Sequence, residues 1–233
     1  MRKPFLPWCL LIVIGWSGCG PPPPWHWAYK GMEHPPRTPI LNKSVAIVPF
    51  VDNRPSENSN YTWLFIIPLM PYGWQEFNRP EEAREHATTG RWQFRPSEDL
   101  AQALAQEIDT AHLFKRAIVT NQESEGDLVL TGTIFSTKYE SKTLTYGLSS
   151  GGVFLWCVGV PFGKIMNELH LRLNLTDRNT GNVLWVGSYT SGREDMFRIN
   201  RLFDRDAWYP EMLQQLMPSI LQDMETALKE SVR

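Results

Sequence analysis

Glu168-Leu169-His170-Leu171-Arg172-Leu173-Asn174-Leu175 places an apolar side chain at every second position. A period of two puts all four leucines on one face of an extended chain and the polar residues on the other, which is a half-buried β-strand. Asp177-Arg178-Asn179-Thr180-Gly181-Asn182 is rich in turn formers, and Val183-Leu184-Trp185-Val186-Gly187-Ser188-Tyr189 returns as a hairpin partner. A sheet with one covered face needs something to cover it. Leu213, Leu216, Met217, Ile220, Leu221, Met224 and Leu228 recur at helical spacing between Pro210 and Val232, an amphipathic helix carrying Pro218 inside it.

Upstream, Asp127 to Phe135 reads as a strand that continues towards Thr145, and Phe114 to Thr120 reads as another. Pro96-Ser97-Glu98-Asp99 predicts a helix start with Ser97 as its cap, followed by Leu100, Leu104 and Ile108 on one face, and an end before His112. Ser44-Val45-Ala46-Ile47-Val48-Pro49-Phe50 is a short β-branched run closed by Asp52-Asn53-Arg54-Pro55, a buried strand entering a loop. The expected fold is a single α/β (α+β) domain over residues 42–233: a mixed, mainly antiparallel sheet with helices packed on it.

The strings Val45-Ala46-Ile47-Val48-Pro49-Phe50, Asp127-Leu128-Val129-Leu130-Thr131-Gly132-Thr133 and Thr180-Gly181-Asn182-Val183-Leu184-Trp185 carry a family likeness. They resemble the periplasmic domain shared by the curli secretion channel lipoprotein, the amino-terminal domain of the TolB translocation protein, and lipoprotein activators of penicillin-binding proteins. The resemblance implies a non-catalytic envelope protein that docks partners or self-associates. It carries no catalytic residues onto this chain.

Two apolar excursions, within residues 61–74 and 147–163, interrupt the pattern. Trp63–Tyr72 and Val153–Phe162 each contain proline and are too short to span a bilayer as a helix, which needs about 20 residues. Three readings apply: they pack on each other or over a sheet edge; they dock a partner or insert shallowly in a membrane surface; or they are hairpins of an oligomeric secretion channel, as the curli resemblance would have it. Under the docking reading the contact residues are Trp63, Phe65, Tyr72, Phe154, Trp156 and Phe162, with Trp63 and Trp156 as anchors.

The amino terminus supplies an address. Met1-Arg2-Lys3 and the apolar run to Ile14 form a signal segment over residues 1–18, and Trp16-Ser17-Gly18-Cys19 resembles the lipobox of bacterial lipoproteins. Ser17 and Gly18 are the small residues expected there, whereas Trp16 stands where an aliphatic residue is usual. The resemblance implies acylation of Cys19, palmitate included. Residues 19–41 are then a tether stiffened by Pro21-Pro22-Pro23-Pro24. No aspartate follows Cys19, which points to the outer membrane, facing the periplasm. Trp25 and Trp27 either rest at the headgroup level or pack on the domain.

Little chemistry competes with this. A net charge of −2 gives no drive to bind nucleic acid. Cys157 is the cysteine left after Cys9 and Cys19 are accounted for, and its apolar setting predicts a buried thiol. The five histidines are dispersed, so no metal or other cofactor is expected, nor a small-molecule substrate. Gly147-Leu148-Ser149-Ser150-Gly151 matches the spacing of a hydrolase nucleophile elbow, but Val153 onward does not read as the helix that must follow, and His170 precedes Asp177. An esterase using Ser149 is the reading from a different class. Glu81-Glu82-Ala83-Arg84-Glu85 and 201–206 read as solvated charged faces.

Overall fold

The computed structural model describes residues 25–83, 92–198 and 207–231; the signal segment and Cys19 lie outside them. Its strands are β1 (Leu41–Ile47), β2 (Val51–Asp52), β3 (Asn58–Tyr61), β4 (Tyr72–Phe77), β5 (Phe114–Val119), β6 (Leu128–Ser136), β7 (Tyr139–Leu144), β8 (Gly163–Asp177) and β9 (Val183–Phe197). Its helices are α1 (Pro96–Thr110), the short α2 (Val153–Cys157) and α3 (Tyr209–Ser231).

The leucine-alternating strand is the spine. β8 is fifteen residues long, and its odd-numbered residues from Gly163 to Asp177 are all buried while none of the even-numbered ones is. β9 pairs antiparallel along nearly its whole length, from Gly163↔Phe197 to Thr176↔Val183. The other edge of β8 is shared. β6 pairs with its carboxyl half and β7 with its amino half. The sheet therefore forks. Beyond β6 come β1 and then β5, both parallel in that wing; beyond β7 come β4 and then β3, antiparallel. The result is the mixed, mainly antiparallel sheet expected from the alternation.

The break between β6 and β7 is held by a buried cation. Arg54 is 5% exposed and donates to Asp52, Glu81 and the Thr137 hydroxyl. Its salt bridges to Asp52 and Glu81 measure 2.8 and 2.6 Å. A buried guanidinium needs this full set, since one left without counter-ions is strongly destabilising. Glu81, expected on a solvated face, belongs to this cluster instead.

Helices α1 and α3 cover one face. Leu100, Leu104 and Ile108 of α1, with Met212, Met217, Ile220, Met224 and Leu228 of α3, meet Leu169, Leu171, Leu173 and Leu175 in one core. The helix α3 runs continuously through Pro218. The start of α1 differs from expectation. Arg95 is the N-cap and Ser97 is already inside the helix; Asp99 reaches back to accept the Arg95 backbone N–H at 2.7 Å. Pro96 at the first helical position favours this, because its fixed φ is helical and its missing N–H would have had no partner.

Residues 25–40, expected within the tether, lie against this covered face. Trp27 stacks on Phe94, and Phe94 on Tyr209. The Glu107 carboxylate on α1 is fully buried and accepts from Tyr29 Oη, Met32 N and His34 Nε2 at 2.9, 2.7 and 2.8 Å. Burial, and then the bond to Glu107, pushes the Tyr29 phenol well above its ordinary pKa.

Candidate functional site

The two apolar excursions meet at one end of the forked sheet, where β4 begins, β7 ends, β8 begins and β9 ends. Thr62–Ile66 forms a turn of 3-10 helix; the second excursion forms a 3-10 turn over Ser149–Gly152 that runs into α2. Hydrogen bonds between them are mostly backbone or backbone-to-hydroxyl. Leu69 N donates to Gly147 O at 3.0 Å, and Thr145 N and Tyr146 N both donate to Pro71 O at 2.9 Å. Thr145 Oγ1 donates to Phe65 O at 3.2 Å, and Ser149 Oγ to Ile66 O. Each excursion is the loop of an antiparallel pair, β3–β4 and β7–β8, and is folded into helical turns rather than extended as strands.

Close backbone approach requires glycine at two points. A Cβ on Gly73 would lie 1.9 Å from Thr62 O, and one on Gly152 would lie 2.5 Å from Thr145 O. The first glycine lets the 3-10 turn fold back on β4, and the second lets the other excursion sit on the end of β7.

Backbones are thus satisfied while many side chains are not covered. Leu69 is 88% exposed, Phe154 and Val158 77%, Trp63 and Ile66 57% and Leu148 55%. Residues 58–75 and 143–163 contain no charged residue. Isolated exposed apolar residues are ordinary, but a contiguous group on an ordered frame marks an interaction surface.

The six expected contact residues divide. Trp63 and Phe154 stand out in solvent. Trp156 is half-buried, donates its indole N–H to Leu144 O at 2.8 Å and packs on Phe162, whose ring centroid is 5.7 Å away. It builds the end more than it presents it. Phe65 and Tyr72 are also half-buried, and Lys142 Nζ lies over the Tyr72 ring at 5.4 Å. Ile66, Leu69, Leu148 and Val158 were missed, although each lies inside or beside a segment whose lack of charge could have flagged it. Cys157 is exposed, not buried, because α2 is a five-residue helix with no buried residue.

Ser149 has a φ of 50° and is followed by helical turns, so a helix does follow the strand and turn there. Its hydroxyl is donated to Ile66. His170 is bonded to Ser188 on the open sheet face, seven residues or about 23 Å along β8 from Gly163. Among the described residues no group of three His, Cys, Asp or Glu side chains could hold a metal ion, and no helix is long and apolar enough to cross a membrane.

No protein-family model matches the sequence, and no curated protein aligns with it. Solved structures are similar to it to differing degrees. A DUF330 protein from Xanthomonas campestris superposes with a TM-score of 0.53 at 11% identity, covering 89% of this chain and 98% of that one. The PelC dodecamer subunit from Paraburkholderia phytofirmans gives 0.40 at 10% identity, covering 84% and 94%. Lipoprotein GNA1162 from Neisseria meningitidis gives 0.27 at 12% identity, covering 78% and 98%. What the chain has in common with the first of these is its fold.

Proposed function

We propose that this chain is a lipid-anchored envelope protein that acts by binding, with Cys19 as its acylated attachment point on the periplasmic face of the outer membrane and the apolar sheet end as its docking surface. The observation that carries the docking reading is the pairing of satisfied backbone with uncovered side chains at that end. Binding surfaces are held on rigid, supported frames, and these side chains stand on glycine-dependent, hydrogen-bonded turns. The anchoring reading draws on Gly18-Cys19 behind the basic and apolar signal segment.

Two measurements test it. Mass analysis of the amino-terminal peptide from a membrane fraction should find a diacylglyceryl cysteine at position 19, and Cys19→Ser should shift the protein out of that fraction. An unmodified Cys19 would refute the anchor. Photo-crosslinking from positions 69 and 154 in cells should give adducts that are missing from an exposed position at the opposite end of the β8–β9 pair, such as Asn179. Equal labelling from both ends would remove the docking surface.

A further inference from the structure

Behind the apolar end, charge is arranged in rows across the sheet face that the helices leave open. The first row is Trp74–Lys142–Lys164–Met196, each residue in register with the next across β4, β7, β8 and β9. The second row, one pleat further from the end, is Glu76–Glu140–Met166–Glu194. Moving away from the end, one therefore meets uncharged apolar loops, then an aromatic and two cations, then three acids. Lys142 and Lys164 face each other directly, a cross-strand like-charge pair that is unfavourable by itself. Each is steadied from the row behind, Lys142 by Glu140 and Lys164 by Glu194, both at 2.8 Å. Within these two rows the cations stand on the side nearer the end and the anions on the side nearer the middle of the sheet, and one pleat further back Lys138 pairs with Glu76 at 3.0 Å and Glu140 at 3.7 Å.

This order is the profile of a polypeptide seated in a membrane interface. Apolar side chains enter about 5–10 Å, tryptophan and tyrosine rest at the headgroup level, lysine meets lipid phosphate, and carboxylates stay out in water. The spacing fits. Lys142 stands two residues, about 7 Å of strand, behind Leu144 where the loops take over.

The length of chain ahead of Trp25 fits as well. Trp25 is held 5.4 Å from Trp92, which is 5.5 Å from Tyr139 at the far end of β7. From Tyr139 to Leu144 is five strand steps, about 17 Å. From Cys19 to Trp25 is six steps, at most about 20 Å of chain. An acyl chain on Cys19 and the sheet end can reach one bilayer surface together.

We propose that the apolar end inserts into the interface of a phospholipid leaflet, with Leu69, Phe154 and Val158 in the acyl boundary and the Lys142–Lys164 row at the phosphates. This rests on the reading that the sheet end is the docking surface, and it names what is docked. The native probe is Cys157, which is exposed within the inserting group and is the thiol that remains free in a chain acylated at Cys19.

The mature protein, spin-labelled at Cys157 and reconstituted in phosphatidylethanolamine–phosphatidylglycerol vesicles, should show the nitroxide reached by oxygen and shielded from a water-soluble nickel chelate. Leu69→Glu combined with Phe154→Glu should restore nickel access. Both sites are so exposed that the fold is kept, which circular dichroism checks. A protein that floats with the vesicles but leaves the label fully open to nickel overturns the insertion, while the anchored docking reading stands. If Cys19 carries no acyl group, the anchor reading fails alone. Flotation of the unacylated protein then tests the insertion directly, supported by binding that drops about tenfold or more in the double variant and overturned by binding that does not change.

Discussion

Trp27 lies 5.2 Å from Phe94 in a stacked pair, whereas Trp63 keeps 57% of its surface open. Both regions carry several aromatic residues, and what separates them is the availability of partners. The tail over residues 25–40 meets a ring system of Trp92, Phe94 and Tyr209 together with a buried carboxylate, Glu107, whose oxygens are matched by three donors. At the sheet end the excursions spend backbone groups on each other, and Trp63 and Phe154 keep 57% and 77% of their surface open among the described residues. Apolar composition therefore says that a surface wants to leave water. It does not say whether the chain itself supplies the cover.

The largest effect that tests this contrast is in the ring system. Phe94→Ala should cost about 3–5 kcal/mol of unfolding free energy, because a buried phenyl is lost beneath Trp27 and Tyr209. Trp63→Ala should change urea stability by less than about 0.5 kcal/mol. Equal losses at the two sites would erase the distinction. Next comes Glu107→Ala, which leaves the Tyr29 hydroxyl, the Met32 N–H and His34 without their acceptor, at a cost of about 3 kcal/mol. The same variant should open residues 25–40 to limited proteolysis before the domain unfolds. A tail that stays protected would mean the rings alone hold it.

The unequal legibility of these parts has physical causes. β8, β9 and α3 could be read because each has one covered face, so period and burial coincide. The hairpin of β3 and β4 could not be read. Asn58-Ser59-Asn60-Tyr61 has no alternation, and its strand conformation comes from pairing with Phe77 to Trp74 and, through β4, with β7. The fastening of the tail was hidden for a similar reason, since His34 and Glu107 are 73 residues apart. At the candidate site, Trp63 and Phe154 were visible as large apolar side chains in uncharged runs. The lysine row was not, because Lys142 and Lys164 become neighbours only through strand register.

A smaller effect bears on how the tail is delivered to β1. Lys43 donates to Asp177 at 2.7 Å, and the backbone N–H groups of Thr180 and Asn179 also point at that carboxylate. The Lys43 bond first, then the turn N–H of Thr180, holds the Asp177 pKa down to about 2. A depressed folded-state pKa stabilises above the unfolded value of about 3.9, and that stabilisation is lost as pH falls through about 2. Asp177→Asn should therefore be less stable than the parent at neutral pH, and the difference should shrink on acidification from pH 4 to pH 2. A difference that is constant down to pH 2 would show that the carboxylate's charge is not what fixes the turn.

The smallest expected change in stability carries the sharpest test of the comparison. Leu69→Ser and Phe154→Ser remove side chains that are 88% and 77% exposed, so little transfer free energy is tied up in them in the folded chain. Stability should move by less than about 0.5 kcal/mol, roughly 2 °C or less in melting temperature for a chain of this size. Both substitutions should nonetheless shorten retention of the folded protein on a hydrophobic-interaction column, additively, because the two residues sit on different excursions. In the tail the signs reverse: Trp27→Ser should lower the melting temperature and leave retention nearly unchanged. If instead Phe154→Ser melted several degrees lower, Phe154 would be packed against the fold in solution, and the sheet end would be a covered surface like the one beneath the tail.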